Sequence, residues 1–217
     1  MQFSGIRHDC PALDECRIGV YLKPMNLVPI SLLTICGLEE LSEHGSRGVT
    51  HVLSILDPDY PEPEALRALA RPHRVLLRFH DAIEPAPGLV MPGKQHVGTI
   101  LDFGRKLADT AQQPAGHLLV HCHVGVSRST AAMACLLSQA HPRENEDRIF
   151  ARLLELRPKA WPNSRMIALA DELLGRGNRL NAALGRLYQR QLSGYPKLAT
   201  FMRENGRLRE VQMAEAA

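Results

Sequence analysis

Apolar positions along the 217-residue chain cluster into short runs that switch between a strand period and a helix period. ISLLTIC, from Ile30, reads as a buried strand punctuated by Gly37, and LEELSEH continues as a short helix. THVLSIL at 50–56 and RVLLRF at 74–79 are further strands, separated by a turn with Asp57, Pro58, Asp59, Pro61 and Pro63 and by a short helix in PEALRALA. Residues 80–93 carry three Pro and two Gly with neither period, which predicts a long loop. From Lys94 to Asp109, apolar or small residues at 97, 100, 101, 104, 107 and 108 trace one helical face. HLLVH at 117–121 is a fourth strand, and RSTAAMACLLSQA at 128–140, apolar on nearly every side, is a central helix covered by others.

After Ala140 the pattern is helical throughout. RENEDRIFARLLELR, SRMIALADELLG and NRLNAALGRLYQRQL predict three helices with Pro or Gly between them, and the stretch from Ser193 reads as one frayed helix and a tail. The alternation of strand and helix predicts an α/β fold: a central, mainly parallel sheet of four or five strands with helices on both faces, and extra helices after Asn178. The expected divisions are an irregular extension at 1–28, the main domain at 29–192 and a C-terminal helix with its tail at 193–217.

Composition narrows the class. With 45% hydrophobic and 23% charged residues, the chain has the balance of an ordinary globular protein. Its five cysteines, at 10, 16, 36, 122 and 135, form no CxxC pair, against a disulfide framework or zinc ribbon. The formal charge is +3, and its basic residues, mostly Arg, form no run that would serve as a nucleic-acid-binding tail. The N-terminal sequence lacks a signal peptide's continuous apolar region, and no stretch has the 18 or more apolar residues of a membrane span, so a cytoplasmic protein without membrane or nucleic-acid partners is expected.

The candidate chemistry lies where the fourth strand meets the central helix, in HCHVGVSRST. The bare spacing of Cys122 and Arg128 is weak evidence in a chain so rich in Arg; the context carries the weight. A strand ending at Cys122 and a helix starting at Arg128 leave a short loop of His123, Val124, Gly125, Val126 and Ser127, whose backbone N–H groups face one concavity at the positive end of a helix dipole. That is an anion cradle. Gly125 supplies a residue free to take positive φ. Surrounding N–H donors favour the thiolate, the nucleophilic form of cysteine, and Arg128 presents a planar fork that matches phosphoryl oxygens.

CHVGVSR followed by Ser129 resembles the signature loop of the cysteine-dependent protein tyrosine phosphatases, most closely the dual-specificity branch. The order of strand, long loop with an Asp, amphipathic helix, strand and loop also resembles that family, as does RPKAWPN at 157–163, over a span of roughly 30–174. The resemblance implies a phosphotyrosine protein phosphatase-like fold and hydrolysis of phosphomonoesters through a phosphocysteine intermediate, without metal or cofactor. It implies Cys122 as nucleophile, Arg128 and the loop amides as phosphate ligands, Asp81 as general acid, and Ser129 as the hydroxyl that eases thiolate departure. His121 then props the loop. Asn163 either braces it or caps the helix that starts at 164. The gap from Asp81 to Cys122 is longer than is usual in dual-specificity members, which leaves Glu84 as second candidate acid; Asp57 and Asp59 read as turn formers.

Other readings stand beside this one. His121, Cys122 and His123 alternate faces on a strand and have no second cluster to complete a zinc site. Cys135 reads as an inert core residue and Cys36 as the end of a strand, with a reversible disulfide from either to Cys122 as the minority reading; Cys10 and Cys16 are incidental. A sulfur-transfer enzyme fits less well. The expected partner is a phosphoprotein, phosphotyrosine ahead of phosphoserine or phosphothreonine, with phosphate or another oxyanion seated in the loop. The alternatives are a phosphoinositide or inositol phosphate phosphatase, disfavoured by a loop without lysines, and a non-catalytic phosphate-binding adaptor.

Overall fold

The computed structural model describes residues 20–21, 30–69, 72–109 and 116–217. Five strands, β1 (Val20–Tyr21), β2 (Ile30–Cys36), β3 (His51–Leu56), β4 (His73–Arg78) and β5 (Gly116–His121), form one sheet in the order β1-β2-β5-β3-β4. β1 pairs antiparallel with β2, and every other pairing is parallel. The central position of β5 accounts for its composition: all six residues are buried, as a strand covered on both faces requires. Val20 and Tyr21 lie within the segment expected to be an irregular extension, where they add an edge strand; the rest of 1–28 is outside the described residues.

Among the described residues seven α-helices follow or interleave: α1 (Lys94–Asp109), α2 (Arg128–Ala140), α3 (Glu146–Leu156), α4 (Ser164–Leu173), α5 (Arg179–Gly194), α6 (Leu198–Glu204) and α7 (Leu208–Glu215). All seven share one core with Leu33, Ile35, Leu53, Ile55, Leu77, Leu118 and Val120 of the sheet. The alternate residues Cys36, Val52 and Leu119 face the other way, into a smaller core closed by Leu41 and Leu66. Those two side chains come from the segments expected as short helices, which are single 3-10 turns at Leu41–His44 and Glu64–Ala68. Helical cover thus exists on both faces, but the α-helices gather on one. α2 runs through the middle of that layer, and its first eleven residues are buried.

The C-terminal segment differs from the frayed helix and tail read from its sequence. Gly206, at φ +74°, turns the chain between α6 and α7, and Met202, Val211 and Ala214 are buried in the main core. α7 lies against α5, close enough that a side-chain carbon at Gly185 would meet the Met213 carbonyl oxygen at 2.9 Å. The alternation of charged and apolar residues in this stretch hid the fact that two of its charges, Arg207 and Glu210, are buried.

Candidate active site

The carboxyl ends of β2, β3, β4 and β5 open onto one edge, the place where parallel sheets of this kind build sites. Cys122 follows β5 directly, and His121 is paired in register with Cys36 on one side and Ser54 on the other. The loop 123–127 then rises to the N-terminus of α2. Its carbonyl oxygens are turned outward and held there. Leu38 N–H donates to His123 O at 2.9 Å, Trp161 N–H to Val126 O at 2.9 Å, and Ala131 N–H to Ser127 O at 2.9 Å. Arg157 Nη2 donates to Val124 O at 3.1 Å, and the Thr130 hydroxyl to Val126 O at 2.5 Å. With the carbonyls engaged outside, the amide edge faces inward, and Gly125 N–H points at Cys122 Sγ at 3.3 Å.

Two glycines let this loop lie on the end of β2. Gly125 has φ +75°, and a side-chain carbon there would fall 2.5 Å from the Cys36 carbonyl carbon and 2.6 Å from the Gly37 nitrogen. A carbon on Gly37 would meet the backbone of Val124 at 2.9 Å. Backbone packs on backbone here, so neither position tolerates a side chain without movement. Glu40 fastens the contact from outside: one carboxylate oxygen accepts from Gly37 N–H at 2.6 Å and the other from Arg157 Nη1 at 2.8 Å. Burial works to raise the Glu40 pKa, but the bonds from Arg157 and Gly37 outweigh it and hold the carboxyl below its ordinary range.

Most of the residues named from sequence lie on or against the loop that starts at Cys122. Its buried sulfur lies 3.2 Å from the Ser129 hydroxyl. Arg128, 3% exposed, donates through Nη1 to Phe79 O and to Asp57 Oδ1, each at 2.6 Å, while its buried Nε has no partner among the described residues. Asp81 accepts from the Ser127 hydroxyl at 2.8 Å and from Asn163 Nδ2 at 2.9 Å. Asn163 also caps α4 by accepting from Met166 N–H at 3.1 Å, and its own N–H donates to Ser127 O of the loop at 3.4 Å. His121 Nε2 shares a 2.7 Å hydrogen bond with Ser54 on β3, and burial pushes its pKa down to about 4, so it is neutral. Glu84 stands apart, exposed and 3.5 Å from Arg209.

Several contacts had no sequence signal strong enough to single them out. Asp57, read as a turn former, sits at the end of β3 with its carboxylate on Arg128. Its position beside β5 at the sheet's functional edge was the available clue. Its N–H donates to His123 Nε2 at 3.2 Å, so that nitrogen is unprotonated; burial first, then Arg128, lowers the His123 pKa accordingly. Tyr60 rests against His123 with ring centroids 4.4 Å apart. Arg207 approaches Asp81 Oδ1 to 2.6 Å, across a sequence separation that no motif bridges.

The cysteines Cys36, Cys122 and Cys135 are free thiols, and burial pushes Cys135 up to about 12, as an inert core thiol requires. Cys10 and Cys16 lie outside the described residues. Among the described residues no group of three or more His, Cys, Asp or Glu is placed to hold a metal ion, and no helix is long and apolar enough to cross a membrane.

Neither family models nor curated proteins match the chain. Solved structures do. A tyrosine-to-histidine form of human DUSP28 is 20% identical, with 71% of this chain and 99% of that one aligned at a TM-score of 0.50. The human tyrosine phosphatase-like serine/threonine/tyrosine-interacting protein is 19% identical, over 65% of this chain and 87% of that one, at 0.47. A mouse dual-specificity phosphatase described as putative and complexed with zinc tungstate is 17% identical, over 74% and 93%, at 0.47. The likeness to human DUSP28 defines the class of fold: the chain has the fold of that dual-specificity phosphatase.

Proposed function

We propose that the protein is a phosphomonoester hydrolase that works through a phosphocysteine intermediate on phosphoprotein substrates. The observation that carries this reading is the convergence on Cys122 of an inward amide, a hydroxyl and the N-terminus of α2, with Arg128 buried beside them. Cys122 attacks phosphorus in line while the bond to the leaving oxygen breaks, with the loop amides and Arg128 on the equatorial oxygens. Asp81 donates its proton to the leaving oxygen, then takes one from the water that displaces the thiolate; Ser129 donates to the departing sulfur. A non-catalytic adaptor is disfavoured because the nucleophile has its hydroxyl at 3.2 Å, while Ser127 and Arg128, at the end of the same loop, carry Asp81 at 2.8 Å and Asp57 at 2.6 Å.

Asp57 is a second candidate for the acid, on a specific ground. Its side chain is 37% exposed at the mouth and touches Arg128, whereas that of Asp81 is 14% exposed and already accepts three donors. Asp57 occupies Arg128 Nη1, and an incoming phosphoryl group competes with it for that donor.

Phosphotyrosine is favoured over the shorter phosphoserine and phosphothreonine. Tyr60 on His123, with the exposed Val124, forms an apolar and aromatic lip that suits an aryl leaving group. The loop carries no lysine, which supports a phosphoprotein over an inositol phosphate. Free thiols at Cys36, Cys122 and Cys135 support a reducing cytoplasmic setting. Phosphotyrosyl peptides, phosphoseryl peptides and inositol phosphates offered to the wild type and to Cys122→Ser test the reading. The first class is hydrolysed fastest and only by the wild type; turnover by Cys122→Ser refutes the nucleophile.

A further inference from the structure

Arg207 lies between α6 and α7, outside the segment whose sequence resembles a phosphatase, yet it is 3% exposed and touches two residues of the candidate site. Its Nη2 is 2.6 Å from Asp81 Oδ1, donates to the Asp81 main-chain oxygen at 3.0 Å and reaches the Ser127 hydroxyl at 3.4 Å. Its Nη1 faces Glu210, at 3.2 and 3.4 Å from the two carboxylate oxygens. Glu210, wholly buried, is itself held by Trp161 Nε1 at 2.6 Å and Ser164 N–H at 2.8 Å. Buried ions of this kind are seldom the most stable filling: apolar side chains of equal volume would fasten α7 as well or better. What apolar residues would not do is fix a carboxylate beside the phosphate loop.

We infer that Arg207 is a positioning residue of the reaction: it holds Asp81 against Ser127 and governs the pH at which Asp81 carries its proton, which makes the α6–α7 hairpin part of the catalytic unit. The inference rests on the assignment of Asp81 as general acid. The charged or titratable groups that bear on Asp81 are Arg207, Arg128 from α2, His123 from the loop and Tyr188 from α5, whose hydroxyl donates to Pro162 O, with Glu210 behind Arg207. Burial alone would raise the Asp81 pKa; the charges of Arg207 and Arg128 and the bond from Asn163 outweigh it and hold it below the ordinary carboxylate range. Since the acid acts protonated, activity falls as pH rises through this pKa, and Asp81 sets the alkaline limb of kcat/KM.

The test uses the full chain and an aryl phosphate, with kcat/KM followed against pH. Arg207→Met moves the alkaline limb upward by about one pH unit or more, the range typical for loss of a close opposite charge. Arg207→Lys, which keeps the charge, returns it to the wild-type position. Should Arg207→Met fail to fold because Glu210 is stranded, the double variant Arg207→Met with Glu210→Gln takes its place, with thermal unfolding as the check. A folded variant without Arg207 whose limb does not move overturns the inference. Asp81→Asn distinguishes the two layers: loss of the limb upholds the acid assignment, and a limb that persists removes the assignment and this inference with it.

Discussion

Gly125→Ala probes the geometry on which the whole site depends. At φ +75° an alanine pays the left-handed penalty of roughly 1–2 kcal/mol. The new carbon would also stand 2.5 Å from the Cys36 carbonyl carbon, 2.6 Å from the Gly37 nitrogen and 2.7 Å from the Cys36 oxygen, all backbone atoms of a buried strand end. Overpacking of a rigid site adds about 1–3 kcal/mol, for a total near 2–5 kcal/mol. For a chain of this size that lowers Tm by roughly 4–20 °C. The strain is relieved only by lifting the loop off β2, which disturbs the amide at Gly125 that faces Cys122. Thermal unfolding should therefore show the loss of stability, and inhibition by tungstate should weaken in parallel. Wild-type Tm together with unaltered tungstate inhibition would refute the argument that the loop is seated by backbone contact.

Other perturbations separate the roles. Asp81→Asn should lower kcat by roughly 10²–10⁴ with a small change in KM, while Glu84→Gln leaves both near wild type; a larger effect from Asp57→Asn than from Asp81→Asn would move the acid to Asp57. Glu40→Gln removes the anion that brackets Gly37 and Arg157, and denaturant unfolding should register about 1 kcal/mol after allowance for its partial exposure, with weaker oxyanion inhibition. His121 makes stability depend on pH: the unfolded chain takes up a proton near 6.5 that the folded residue refuses until about 4, so stability present above 6.5 is lost as pH falls through that window. The loss is on the order of 3 kcal/mol, and His121→Gln should show a shallower decline in urea titrations between those pH values.

The sheet and its flanking helices were legible because their signals are local. The apolar run HLLVH marks β5 as a strand, and helical spacing marks α1, with one core face at Val97, Ile100, Leu101 and Leu107. The loop 123–127 was legible for a different reason, since strand, glycine and helix start follow one another within a few residues. Arg207 and Asp57 were not, because their roles come from contacts that the chain makes only after folding. Nothing in RENGRLRE distinguishes a buried arginine from a solvated one; burial there is imposed by Met202 and Val211 on either side of the turn at Gly206. The two segments read as helices are single 3-10 turns that anchor the small second core through few side chains, Leu41 in one and Leu66 with Leu69 in the other.

In the proposed mechanism Cys122 carries the phosphoryl group between the two steps. Acid quench of the protein mixed with an aryl phosphate, followed by peptide mass analysis, tests this step, with Ser129→Ala used to slow breakdown of the intermediate. The expected result is one added phosphoryl group on the peptide containing Cys122, more of it in Ser129→Ala than in the wild type, and none in Cys122→Ser. A phosphoryl group on another residue, or turnover with Cys122 unmodified throughout, would contradict it.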